Sequence, residues 1–167
     1  MSQARDLLAH ARSILGSGRG RPKQAELRIV VTCAYRALFQ ELRHDAVRKL
    51  IRGRQTDVCE LRRTLSRCFE HRTMANAARA FAGQGSNGWI GCVSSVPADL
   101  VEVAEAFAEL YEARHRADYD QMGPPFRQSE TSALLALSER ACETWARVRD
   151  TPAGRAYLLA MLIKPRS

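Results

Sequence analysis

The sequence predicts an all-α chain: an up-and-down bundle of five to six helices forming one domain over residues 1–167. Three observations carry this prediction. Apolar residues recur at helical spacing in nearly every segment. No alternating strand run competes with that period. The breaks between segments hold helix punctuation, at Gly16 to Gly20, Gly53, Gly123-Pro124-Pro125 and Thr151-Pro152. At 167 residues the chain is long enough to bury a core.

The elements follow in order. The first helix is predicted over about residues 3–16, with Leu7, Leu8, Ala11, Ile14 and Leu15 on one face. Pro22 suits the first turn of a second helix, because proline lacks only an N–H that a first turn leaves unpaired. That helix carries Leu27, Val30, Val31, Ala34, Leu38 and Leu42 and runs to about residue 50. A third helix is predicted from Asp57, with Glu60 as its capping-box partner. Leu61, Leu65, Cys68 and Phe69 face inward, and the helix fades near Phe81. A Gly-rich loop over residues 83–96 holds Trp89, Ile90 and Val93, which are expected to fold back onto the core. Pro97 opens a fourth helix with Leu100, Val101, Ala104, Phe107 and Tyr111 inward. A fifth runs from about Ser129 to Asp150. Thr151-Pro152 caps a short sixth helix ending near Ile163.

Charge is unevenly spread. Residues 1–79 carry 17 Lys+Arg against 7 Asp+Glu, and residues 80–167 carry 9 against 11. Arginine supplies 23 of the 26 basic residues. Guanidinium forks match phosphate geometry, so a basic half suits RNA, DNA or an acidic partner. A solvated basic face accounts for the same numbers. No segment has the roughly 18 apolar residues of a membrane helix. The first residues lack a signal-peptide pattern, so a cytoplasmic setting and no membrane partner are expected. The five cysteines, Cys33, Cys59, Cys68, Cys92 and Cys142, are scattered, which points to buried reduced thiols.

Several motif matches lack their chemical context. Gly83 to Gly88 fits the dinucleotide pattern GxGxxG, but a helix precedes it and a loop follows, so no helix dipole meets a pyrophosphate. Cys59, Cys68 and His71 match no zinc spacing. No metal and no cofactor are expected. Arg5 and His10 fit an Arg-x4-His spacing but lie about 140° apart around a helix.

The densest polar cluster is Arg114-His115-Arg116-Ala117-Asp118-Tyr119-Asp120, where the fourth helix should end. Three readings fit it. Cations near a helix C-terminus complement its dipole. Two arginines, a histidine and a tyrosine suit a phosphate. An imidazole beside a guanidinium suits acid–base cleavage of RNA.

The second helix, Arg28 to Gln40, is similar to the Ser-x-Tyr-Tyr-Ala-x-Phe-His helix of the HEPN superfamily. Arg116-Ala117-Asp118-Tyr119 resembles the Arg-x-x-Ala-Asp-Tyr ending of one of its branches. The likeness spans about residues 22–163. It implies a helical domain of a bacterial toxin–antitoxin or stress system that acts on or binds RNA. It also implies a homodimer and a nucleotidyltransferase partner. Catalytic members carry Arg-x(4–6)-His, and no histidine follows Arg114 or Arg116 at that spacing. The RNase reading therefore assigns Arg116 with His115 or Tyr119. The RNA-binding reading takes Arg114, Arg116 and Asp118, with Arg36 and Arg43 of the second helix. The alternative is a non-catalytic protein-interaction subunit that pairs with a nucleotidyltransferase-type partner.

Overall fold

Seven helices make up the regular structure of the computed structural model, which describes residues 3–16, 21–53, 55–84, 95–120 and 122–163. They are α1 (Gln3–Leu15), α2 (Gln24–Leu50), α3 (Thr56–Arg67), α4 (His71–Phe81), α5 (Ala98–Tyr119), α6 (Gln128–Val148) and α7 (Pro152–Ala160). No strand occurs among the described residues, so the chain is all-α as its periodicity predicts. Trp89, Ile90, Cys92, Val93 and most of the GxGxxG match lie outside the described residues.

The chain divides into two compact units, Met1–Glu41 with Ala106–Glu143 and Leu42–Glu105 with Thr144–Ser167. In the first, the stripe predicted on α2 is buried at Leu27, Val30, Val31, Ala34 and Leu38. Phe107 and Leu110 of α5, Leu134 of α6, and Leu8 and Ala11 of α1 are buried too. Ser138 donates to the Ala34 carbonyl at 2.7 Å, which satisfies a buried hydroxyl. In the second unit, Trp145, Tyr157, Phe81, Leu42, Met74 and Leu100 are fully or almost fully buried. Phe81 and Trp145 flank Tyr157, with ring centroids 5.0 and 6.2 Å away.

The single helix expected from Asp57 to Phe81 is two helices, and this raises the count above six. Glu70 takes an extended conformation and becomes the N-cap of α4. Phe69, at the corner, is buried. The two pieces bury differently. Val58 is the one buried residue of α3, whereas α4 buries seven. Leu61 and Cys68, expected inside, are exposed. A straight helix would carry one apolar stripe; here the period restarts at the corner.

Helix starts also differ in detail. The cap of α3 is Gln55, and Glu60 pairs with Arg63 at 2.6 Å, so the Asp57/Glu60 capping box does not form. The same chemistry appears at α2. The Lys23 amide donates to Glu26 Oε2 at 2.7 Å, one residue after Pro22, which lies outside the helix. At α7 the prediction holds: Thr151 caps the Gly154 amide and Pro152 opens the helix.

Of the described cysteines, Cys33 is buried, Cys142 half-buried, and Cys59 and Cys68 are exposed; all four are free thiols. Burial raises the Cys33 thiol pKa and pushes that of Cys142 up to about 12, so neither ionises near neutrality. Among the described residues no helix is long and apolar enough to cross a membrane.

Candidate functional site

The Arg114–Asp120 cluster ends α5, and it is held almost entirely by partners inside the first unit. Arg114 Nε pairs with Asp118 Oδ2 at 2.6 Å, one helical turn on. Asp118 Oδ1 accepts from the Thr32 hydroxyl at 3.2 Å. The Arg114 guanidinium lies 5.4 Å from the Tyr119 ring centroid and 6.0 Å from that of Tyr35. Tyr35 is fully buried, and burial raises its phenol well above the usual range; the nearby guanidinium opposes this. Tyr35 therefore lines no open groove.

Arg116 points elsewhere. Its guanidinium stacks over Phe126 at 4.3 Å and pairs with Glu130 of α6. Glu130 also accepts the Arg127 amide at 3.5 Å, at the start of α6. One carboxylate thus serves both the end of α5 and the beginning of α6. Phe126 is buried and clamped by Gln24, which accepts its amide at 2.9 Å and donates to its carbonyl at 2.7 Å.

The residue that closes α5 is Arg28 of α2, which no motif or spacing in the sequence marks as part of the site. Its Nη1 donates to the carbonyls of Ala117 at 2.7 Å and Arg116 at 3.4 Å, and Nη2 donates to Asp120 at 3.0 Å. These carbonyls lie at or just past the end of α5, where intrahelical donors run out, and the Arg116 carbonyl also accepts the Asp120 amide at 3.2 Å. A cation there also complements the helix dipole. Arg62 does the same for α2, donating to Ile51 and Gly53 carbonyls at 2.9–3.1 Å. The arginine-rich composition is partly architectural.

Arg28→Ala is expected to cost about 2 kcal/mol, the scale of charge-assisted hydrogen bonds at a partly buried position. Arg28→Lys should recover only part, because a point charge cannot span three carbonyls. Urea unfolding followed by helical circular dichroism measures both. A loss below about 0.5 kcal/mol for the alanine variant would remove the capping role.

His115 and Tyr119 remain on the outer surface. His115 is exposed, and Tyr119 is 65 % exposed. Beside them a groove of about 610 Å³ is lined by Glu109, Glu112, Asp120, Glu130, His115 and Arg116 over Ala113, Ala133 and Leu134. Four carboxylates against one guanidinium make it electronegative, which disfavours a phosphate. Arg36 is exposed on α2 and Arg43 is half-buried farther along the same helix. The structure thus brings Thr32 and Tyr35 of α2 against Arg114 and Asp118 of α5. It engages Arg114, Arg116 and Asp118 internally, and it leaves Arg36 facing solvent.

Cys59, Cys68 and His71 fall in α3, at its C-cap and at the start of α4. Among the described residues no group of three or more His, Cys, Asp or Glu side chains is arranged to hold a metal ion. Charge is redistributed by folding. The first unit carries 11 Lys+Arg against 10 Asp+Glu, and the second carries 15 against 8. The positive excess therefore belongs to the unit without the cluster. Compared with family models, curated proteins and solved structures, the chain has no significant match.

Proposed function

We propose that this protein is a non-catalytic RNA-binding module of the HEPN type. Its main phosphate contacts come from the second unit, and the Arg114–Asp120 cluster is chiefly an anchor for α5. The observation that carries this reading is the charge of that unit, 15 basic residues against 8 acidic. Its arginines at Arg48, Arg52, Arg67 and Arg72 are exposed. The bonds from Arg62 to the carbonyls of Ile51 and Gly53, on either side of Arg52, hold the end of α2 against α3. The contact between the two motif helices, through Thr32–Asp118 and Arg114–Tyr35, supports the family reading. A homodimer, a toxin–antitoxin or stress setting and a nucleotidyltransferase partner belong to that reading.

Binding is favoured over cleavage because the cluster's cations are already neutralised. A guanidinium that stabilises a phosphorane must face the phosphate. Arg116 instead pairs with Glu130, and Arg114 with Asp118.

The test is RNA affinity measured across a salt series. The triple variant Arg48→Ala, Arg52→Ala, Arg67→Ala should weaken binding about tenfold or more, and reduce the slope of log affinity against log salt by about 2. An unchanged slope would overturn the assignment of this surface. Incubation with total RNA in EDTA, beside Arg116→Ala, separates binding from cleavage. Degradation by the parent protein that the variant lacks would restore the RNase reading.

The second reading, a protein-interaction subunit, is favoured by one observation. Leu61, Leu159 and Ile163 of the second unit are 54, 45 and 41 % exposed. Absence of RNA binding at low salt would bring it forward.

A further inference from the structure

Tyr111, His115 and Tyr119 stand on successive turns of α5, so their rings run along one face. The centroids of Tyr111 and His115 are 6.4 Å apart, with the ring planes 26° from parallel. Those of His115 and Tyr119 are 4.9 Å apart at 46°. Exposure rises along the series: Tyr111 is half-buried, His115 is exposed and Tyr119 is 65 % exposed. The helix ends at Tyr119, so no further turn of α5 covers the outer side of that ring.

The strip is also held in place. The Arg114 guanidinium lies against the Tyr119 ring at 5.4 Å and is tied to Asp118 at 2.6 Å. Asp118 in turn accepts from Thr32 of α2. An aromatic surface fixed before binding loses little side-chain freedom when a ligand covers it.

The chemistry of the ligand follows from the charge around the strip. Arg114 is neutralised by Asp118, Arg116 by Glu130, and the adjoining groove is acidic. A phosphate has little to gain at this point. A flat, uncharged aromatic ring has two exposed rings to stack on. Arg36 is exposed on α2, one turn beyond Thr32 on the same side of that helix, and Thr32 bonds to Asp118 beside the strip.

We propose that His115 and Tyr119 form a stacking platform for an unpaired base of single-stranded RNA. This rests on the RNA-binding reading above. It adds a preference that the basic surface alone would not create, because a duplex keeps its bases stacked on one another and offers no free face.

The experiment compares a short labelled single-stranded RNA with a duplex of the same length, by fluorescence anisotropy at low salt. The parent protein, the double variant His115→Ala, Tyr119→Ala and the conservative variant Tyr119→Phe are each titrated, with helical circular dichroism as the check of folding. The double variant should bind the single strand about tenfold or more weakly and bind the duplex as the parent does. Tyr119→Phe should bind both as the parent does, because a phenyl ring stacks as well as a phenol. Undiminished single-strand binding by the double variant would overturn the platform and leave the basic surface standing. Equal losses for strand and duplex would also overturn it. No binding of either RNA by the parent protein would overturn both proposals.

Discussion

Replacing Asp45 with alanine is expected to destabilise the protein by about 3 kcal/mol. Asp45 is a buried carboxylate of α2, 8 % exposed, and its Oδ2 accepts the indole N–H of Trp145 at 2.8 Å. Trp145 is fully buried. Removing the acceptor strands a donor that water does not reach, and that penalty adds to the loss of a bond to a charged group. Arg149 approaches the same oxygen at 3.5 Å, but its side chain is 40 % exposed. Solvent screens that pair, so it contributes little. The comparison that isolates the cause is Asp45→Asn, which keeps an oxygen for the indole. It should cost only about 1 kcal/mol. Equal losses for the two variants in urea unfolding would show that the charge, not the acceptor, is what matters.

Gly154→Ala is expected to destabilise by about 2 kcal/mol or more, against the ordinary sign of the change. Within a helix, alanine normally gains about 1 kcal/mol over glycine. Gly154 sits in the first turn of α7, where a Cβ would overlap the Val148 carbonyl oxygen. It would also lie 3.1 Å from the Val148 carbonyl carbon and 3.2 Å from the Arg149 Cα. These are backbone atoms, so no side chain can swing aside. The carbonyl is also pinned, because it accepts from the Thr151 amide at 3.0 Å and from the Thr151 hydroxyl at 2.7 Å. Relief requires α7 to move away from the end of α6, which opens the packing around Tyr157. Thermal unfolding gives the sign directly. A variant more stable than the parent would show that this turn yields.

Where a helix begins or ends through local chemistry, its boundary is readable from residue order. Thr151-Pro152 and Pro97 mark the starts of α7 and α5, and Gly123-Pro124-Pro125 separates α5 from α6. Local order was insufficient at α3 and α4. Whether Leu61 or Phe69 is buried depends on the direction the chain takes after Arg67, and the apolar spacing fits one helix as well as two.

The candidate site divides in the same way. The cluster's position, at the end of α5, follows from its own segment. The Arg114–Asp118 pair, one turn apart, follows from it too, but the cluster's other partners do not. Arg28 caps α5 from 88 to 92 residues away, and Thr32 reaches Asp118 across 86. Arg116 is committed to Glu130 across a turn of two prolines.

By itself, the sequence determined the all-α class, most helix boundaries and the place of the polar cluster, because periodicity and capping act over a few residues. Only the tertiary structure decided that Arg116 is neutralised by Glu130, that Arg28 is the cap, and that the positive excess belongs to the other unit. Those outcomes depend on which distant groups share a surface, and no spacing within one helix encodes that.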